Sequence, residues 1–209
     1  MYNNCEKKTI EKFIKKNFGK IKTIIKEAIE ITGIDIALVF PTKDMPYYKL
    51  VTIGMGDYSM NLPDENKERI SDRTELCFYL HESWKVDEIA KTMKYGWPVE
   101  VLKKLASYPK NTNTWIAHGH SFNNNSRLCD FVNYTGILIL SAISSSSFIP
   151  KCKISDKKEV GFLLCYPIYK EELDFKNNNS ALDLINIIDD SDFPVVKNER
   201  LNYCVNGGL

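Results

Sequence analysis

The chain has 209 residues, 44% of them hydrophobic and 11% aromatic. That composition excludes a disordered chain and a coiled-coil rod, and a chain of this size buries roughly 70% of its extended surface, enough for one substantial core. Lysine and arginine number 28 against 27 aspartates and glutamates, so a net charge of +1 shows no basic excess of the kind a nucleic-acid-binding domain carries, and it gives little colloidal repulsion between molecules.

Met1 to Glu6 lacks the apolar stretch of a signal peptide, and no run of 18 apolar residues exists. The six cysteines contain no C-x-x-C pair, and Cys77 and Cys165 lie in apolar runs as small buried hydrophobes. A reduced, cytoplasmic chain without a disulfide framework is expected. Glu6 to Ile31 reads as one amphipathic helix: Ile10, Phe13, Ile14, Phe18, Ile21, Ile24, Ile25 and Ala28 recur at helical spacing, opposite a lysine-rich face. Such a face can serve a membrane or a partner, but a helix packed on a sheet with its lysines in water is the economical reading. Thr32-Gly33 ends it. Strands are expected at Ile34 to Phe40 and Lys49 to Met55, joined by a turn with Pro41 and Pro46. A loop runs from Gly56 to Asn66, and Glu75 to Leu80 is strand-like. Val86 to Lys94 and Pro98 to Ser107 read as two helices, with Pro98 in a first turn, where its missing N–H costs nothing. Thr114 to His118 and Gly136 to Ser141 read as strands, and Lys151 to Lys158 as a connection. Glu159 to Ile168, apolar on both faces, belongs in the middle of a sheet. Lys170 to Phe175 and Ala181 to Ile187 are helical, and an acidic tail follows.

No linker or repeat divides the chain. The expected fold is a single α+β domain, with a mixed, mostly antiparallel sheet of five to six strands flanked by helices. Residues 1–33 form the amphipathic helix packed on it and residues 34–209 the domain proper.

Few residues suggest chemistry. His118 and His120 would face one side of an extended segment, and H-x-H on a strand supplies two zinc ligands, with His81 as a conceivable third. No carboxylate stands at a ligand spacing beside them. Gly119-His120-Ser121-Phe122-Asn123 approaches a nucleophile elbow, but Asn123 replaces the second glycine, and no histidine follows Ser121 to complete the hydrolase order. No phosphate-binding glycine loop occurs. No cofactor or metal is expected.

Four segments, in order, resemble the suppressor-of-fused domain family. They are Pro46-Tyr47-Tyr48-Lys49-Leu50-Val51-Thr52-Ile53-Gly54-Met55-Gly56-Asp57 with Met60, and Arg73 to Leu80 with Trp84. The third runs from Trp97-Pro98 through Tyr108-Pro109 to Thr114-Trp115 and Gly119-His120, and the fourth from Phe162 to Leu173. They span about residues 34 to 203. Ser59 stands where the family commonly has proline and Gly56 where it has serine, and the N-terminal helix has no counterpart in the family pattern. The resemblance implies an α+β fold with no established catalytic apparatus. Animal members bind a peptide of a transcription factor between this domain and a second one, and short bacterial members are thought to neutralise toxins.

The leading expectation is therefore a non-enzymatic protein-binding domain, an immunity protein whose partner is a toxin domain, with no nucleic-acid or membrane partner. Its candidate contact residues lie in two polar loops: Asp57, Tyr58, Met60 and Asn61 in the first, His120, Phe122 and Asn123 in the second. A regulatory scaffold that takes an extended peptide at a sheet edge is the alternative. A small zinc-dependent hydrolase using His118 and His120 is a third possibility.

Overall fold

The computed structural model describes residues 2–26, 32–144 and 147–205. An eight-stranded sheet forms its middle layer. The strands are β1 (Ile21–Ile25), β2 (Asp35–Val39), β3 (Tyr48–Ile53), β4 (Thr74–Leu80), β5 (Ser121–Asn123), β6 (Gly136–Ser141), β7 (Cys152–Ser155) and β8 (Lys158–Ile168). Their order is β1-β2-β3-β4-β8-β6-β5, with β7 pairing the start of β8. β4 and β8 run parallel and the other pairs antiparallel. β8 is central, as its two apolar faces require, because helices cover both sides of the sheet. The mixed α+β fold agrees with expectation, and the sheet is wider than the five to six strands expected. One added strand is β7, in the segment read as a connection.

α1 (Asn4–Asn17), α3 (Lys170–Asn178) and α4 (Ala181–Ile187) lie on one face, where Ile10, Ile14, Phe18, Leu173 and Leu184 meet Ala37, Val51, Cys77, Leu138 and Leu164. α2 (Met93–Thr112) covers the other, where Trp97, Leu102 and Leu105 meet Leu38, Leu50, Phe78, Ile139 and Cys165. Alternate residues of each strand thus feed opposite cores. Each fully buried aliphatic or aromatic side chain is worth about 1.5–3 kcal/mol.

The single helix expected over Glu6 to Ile31 is instead a helix followed by an edge strand. Residues 27–31 lie outside the described residues. Asn3 starts α1: its side chain accepts from the amides of Cys5 and Glu6, while Glu6 accepts from the Asn3 amide at 2.9 Å. Gly19, at φ +120°, ends it in a conformation other residues rarely adopt. A Cβ there would lie 2.5 Å from the Thr42 side chain, so the chain crosses tightly at this point. Beyond it, Ile21, Thr23, Ile24 and Ile25 are β-branched and pair with β2. The pairing shifts between Ile21 and Thr23, and this bulge at Lys22 puts Ile21 and Ile24, three residues apart, on the same core. Helical spacing in the sequence was the imprint of a bulged strand. β1 therefore belongs to the sheet, and the segment before residue 34 contributes to it as well as packing on it. Lys49, fully buried on β3, ties these pieces together: its ammonium donates to the carbonyls of Phe18, Phe40 and Met45 at 2.9, 2.8 and 3.3 Å.

The two helices expected between Val86 and Ser107 are a short 3-10 turn at Val86–Glu88 and then α2, which runs through Pro98 rather than starting at it. Proline here removes the amide that would bond the Lys94 carbonyl. Asn198 in the C-terminal tail supplies the missing donor, its Nδ2 bonding that carbonyl at 3.2 Å while its Oδ1 accepts from the Trp97 indole at 3.0 Å. Thr114 to His118 is not a strand but an irregular connection leading into a turn at His118-Gly119. Among the described residues no helix is long and apolar enough to cross a membrane.

Candidate functional site

The first candidate loop is held from beneath by a buried carboxylate. Glu75 on β4 accepts from the Thr52 hydroxyl at 2.6 Å and from the amides of Gly54 and Gly56 at 2.9 and 3.1 Å. Complete burial pushes its pKa up to about 7 against the pull of these hydrogen bonds. The turn so pinned carries Asp57, whose carboxylate meets the Lys158 ammonium at 2.8 Å, a cation that also holds Glu6 at 2.9 Å. Arg73 closes the loop by donating to the carbonyls of Gly56 and Asp57. Tyr58 and Asp57 line a cleft of about 150 Å³ against Ala106, Ser107, Lys110 and Asn111 of α2. Met60 points inward, 4% exposed, and its sulfur accepts from the Ile116 amide at 3.4 Å. Asn61 is exposed.

The second loop leads onto the opposite flank of α2. His120 packs its ring on Trp115 with centroids 4.3 Å apart, and burial, helped by the Lys176 charge, lowers its pKa. Phe122 sits edge-on to Tyr108 at 5.1 Å. Phe122 and Asn123 line a groove of about 230 Å³ between β5 and α2. Trp97, Val101, Leu105 and Ile137 supply its apolar walls, and Met93, Tyr108, Glu100 and Lys104 stand along it. Met93 and Tyr108 are 49% and 40% exposed and lie together along one groove. Lys104 donates to the Asn124 side chain at 2.8 Å and so fixes the far end of β5.

β5 is the terminal strand of the sheet. Its register pairs Phe122 with Ile137, and the bonds from the Ile139 amide to the His120 carbonyl and from the Asn124 amide to the Thr135 carbonyl set the alternation. The even-numbered residues face β6, so the N–H and C=O groups of Ser121 and Asn123 point outward along the groove.

The seven candidate residues thus form two sites rather than one. Asp57 and Tyr58 lie on one flank of α2 and Phe122 and Asn123 on the other, while His120 packs on Trp115 and Met60 is buried against the Ile116 amide. Of the α2 residues that shape the groove, Trp97, Leu105 and Tyr108 stand in the family-like segments of the sequence, but none of them is among the candidate contact residues. Trp97, Val101, Leu105 and Tyr108 recur at helical spacing, which was the available signal.

The histidine pair does not converge. His118 is exposed in its turn, where its Nδ1 accepts from the Ser141 amide at 3.0 Å, whereas His120 turns inward onto Trp115. The strand that was to align them is missing, and His81 hydrogen-bonds Ser83 in the separate turn after β4. Among the described residues no group of three or more His, Cys, Asp or Glu side chains could hold a metal ion.

Comparison with known proteins agrees with this architecture. The family model of suppressor of fused protein (SUFU) matches residues 31–200, leaving α1 and β1 outside the match. A suppressor-of-fused homologue from Neisseria gonorrhoeae superposes with a TM-score of 0.61 at 16% identity, over 97% of this chain and 96% of that one. A chain of the Sufu-Fu complex crystal structure gives 0.58 at 13% identity, over 87% and 81%. Drosophila Suppressor of Fused gives 0.51 at 17% identity, over 74% of this chain and 37% of that longer one. No curated protein matches. With the match covering most of its length, the chain belongs to the suppressor of fused protein family.

Proposed function

We propose that this chain is a non-enzymatic protein-binding domain that receives an extended segment of its partner along β5, with an apolar side chain of that segment seated in the groove against α2. The observation that carries the reading is the outward main-chain edge of a terminal strand running beside an apolar groove of about 230 Å³. Main-chain pairing to β5 supplies affinity, and the pocket between Phe122, Trp97 and Tyr108 supplies selectivity. A relative has been crystallised as a Sufu-Fu complex, which supports protein recognition as the role of the fold. The neutralisation of a toxin is the specific form of this role that the family resemblance suggests.

Selection from a random peptide library tests the binding mode. Peptides with alternating large apolar residues and micromolar affinity are expected, lost in Phe122→Asp. Asn123→Pro removes an outward amide, together with the side-chain oxygen that accepts from the Asn125 amide at 2.8 Å, but no amide that bonds β6. It therefore leaves the β5–β6 pairing intact and still abolishes binding, whereas Asn123→Ala, which loses the side chain alone, retains binding. Co-purification of a toxin, with protection of cells that express this chain, is the expected result for the immunity role. Cells left unprotected would overturn that role and leave the peptide mode standing.

A further inference from the structure

The sheet face that carries α1 also carries α3 and α4. α1 packs over β3 and β7, α3 over β6. β3 and β6 stand three places apart in the strand order, which separates the two stretches of helix by roughly 15 Å. Charge is divided between them. Residues 1–26 hold eight lysines against two glutamates, a net +6, and residues 170–200 hold eight acids against four bases, a net −4.

Local ion pairs consume little of this. Glu6 is taken by Lys158 and Lys7 by Asp35, which leaves Lys8, Lys12, Lys15 and Lys16 exposed on α1, without a carboxylate within 4.0 Å among the described residues. At the other end Glu172 is spent on Arg200 and Asp192 on Lys197. Glu171, Asp174, Asp183, Asp189 and Asp190 stay exposed, opposed by Lys170 and Lys176 and, beside Asp189, by Lys197. Each stretch also shows one large apolar side chain to solvent. Phe148, 68% exposed, borders the cleft that Lys15 and Lys16 line, and Leu182, 66% exposed, lies on α4.

Opposite charges side by side on one face make that face self-complementary. A two-fold axis lying in the plane of that face, parallel to the stripes and between them, lays the lysines of each copy on the acids of the other. The near-zero net charge leaves no overall repulsion to oppose the encounter. We propose that two copies of this chain associate through this face, α1 of one against α3 and α4 of its mate, on the side of the sheet opposite the β5 groove's helix α2.

Sedimentation velocity tests this at low and high salt, about 0.02 and 0.5 M, since exposed charge pairs are screened across that range. A dimer at low salt that weakens at least tenfold at high salt is expected. The triple reversal Lys12→Glu, Lys15→Glu, Lys16→Glu should give a monomer, and so should Asp189→Lys with Asp190→Lys. The two reversed proteins mixed, or both reversals in one chain, should restore the dimer. All five positions are exposed, so the fold is retained. A monomer at low salt, a dimer indifferent to the reversals, or reversals that fail to rescue one another would each overturn the proposal.

Discussion

Glu75 is a buried acid whose partners come from strand and turn residues some twenty positions upstream, Thr52, Gly54 and Gly56. Glu75→Ala would strand a hydroxyl and two amides, and a loss of about 3 kcal/mol in denaturant unfolding is expected. The carboxyl's folded pKa of about 7 lies above its ordinary 4.5, so the native state holds a proton that the unfolded chain has released. This group's contribution is therefore most favourable below pH 4.5 and is lost as pH rises through 7. Measured against Glu75→Gln, the wild type should lose stability between pH 5 and 8, by at most about 3 kcal/mol. A pH-independent difference would show that the carboxyl does not titrate there. Arg200 is the complementary case: its guanidinium meets both oxygens of the buried Glu172 at 2.5 Å, among the rings of Tyr134, Tyr166, Tyr169 and Tyr203. Arg200→Ala should cost about 3–5 kcal/mol by thermal or denaturant unfolding, because it leaves that carboxylate buried and unpaired. Neither pairing was legible in the sequence, where a charged residue in an apolar strand or a polar tail carries no mark of its partner.

At the scale of elements, what the sequence showed depended on whether one periodicity had one cause. The apolar run around β8 and the pattern of β6 admitted a single reading, and both strands formed as read. β1 admitted two, because a bulge gives isoleucines the spacing of a helix. Deleting Lys22 should remove the bulge and leave Ile21 and Ile24 two residues apart on the same core of a regular strand, so the cost should stay within about 1 kcal/mol. Lys22→Ala, which removes a surface pair with Asp87 and an ammonium 5.7 Å from the centre of the Phe40 ring, should stay within about 1 kcal/mol. Unfolding curves of the two variants decide this, and a loss of about 2 kcal/mol or more on deletion, with Lys22→Ala tolerated, would argue against Lys22 as the extra residue of the bulge. Proline at the sixth position of α2 looks like a start, which is why the sequence suggests a helix beginning at Pro98 and a separate one over Val86 to Lys94. Asn198, a hundred residues away in sequence, is what lets the helix continue.

For the molecule as a whole, the family resemblance placed the sheet and its helices, and the strand order confirms a mixed sheet with β8 at its centre. The candidate site was only half legible. Loop residues were chosen for polarity and position, whereas the groove depends on α2 meeting the edge strand, a tertiary event. At this scale the proposed role is the pairing of a partner's extended segment with β5. Residue-resolved amide exchange, with and without a library-selected peptide, tests it most directly. New protection is expected at the Ser121 and Asn123 amides, with a smaller change at Phe122, whose amide already faces β6, and loss of the effect in Asn123→Pro. Protection confined to the Gly54 to Asn66 loop, or a peptide that binds Asn123→Pro as tightly as the wild type, would contradict it.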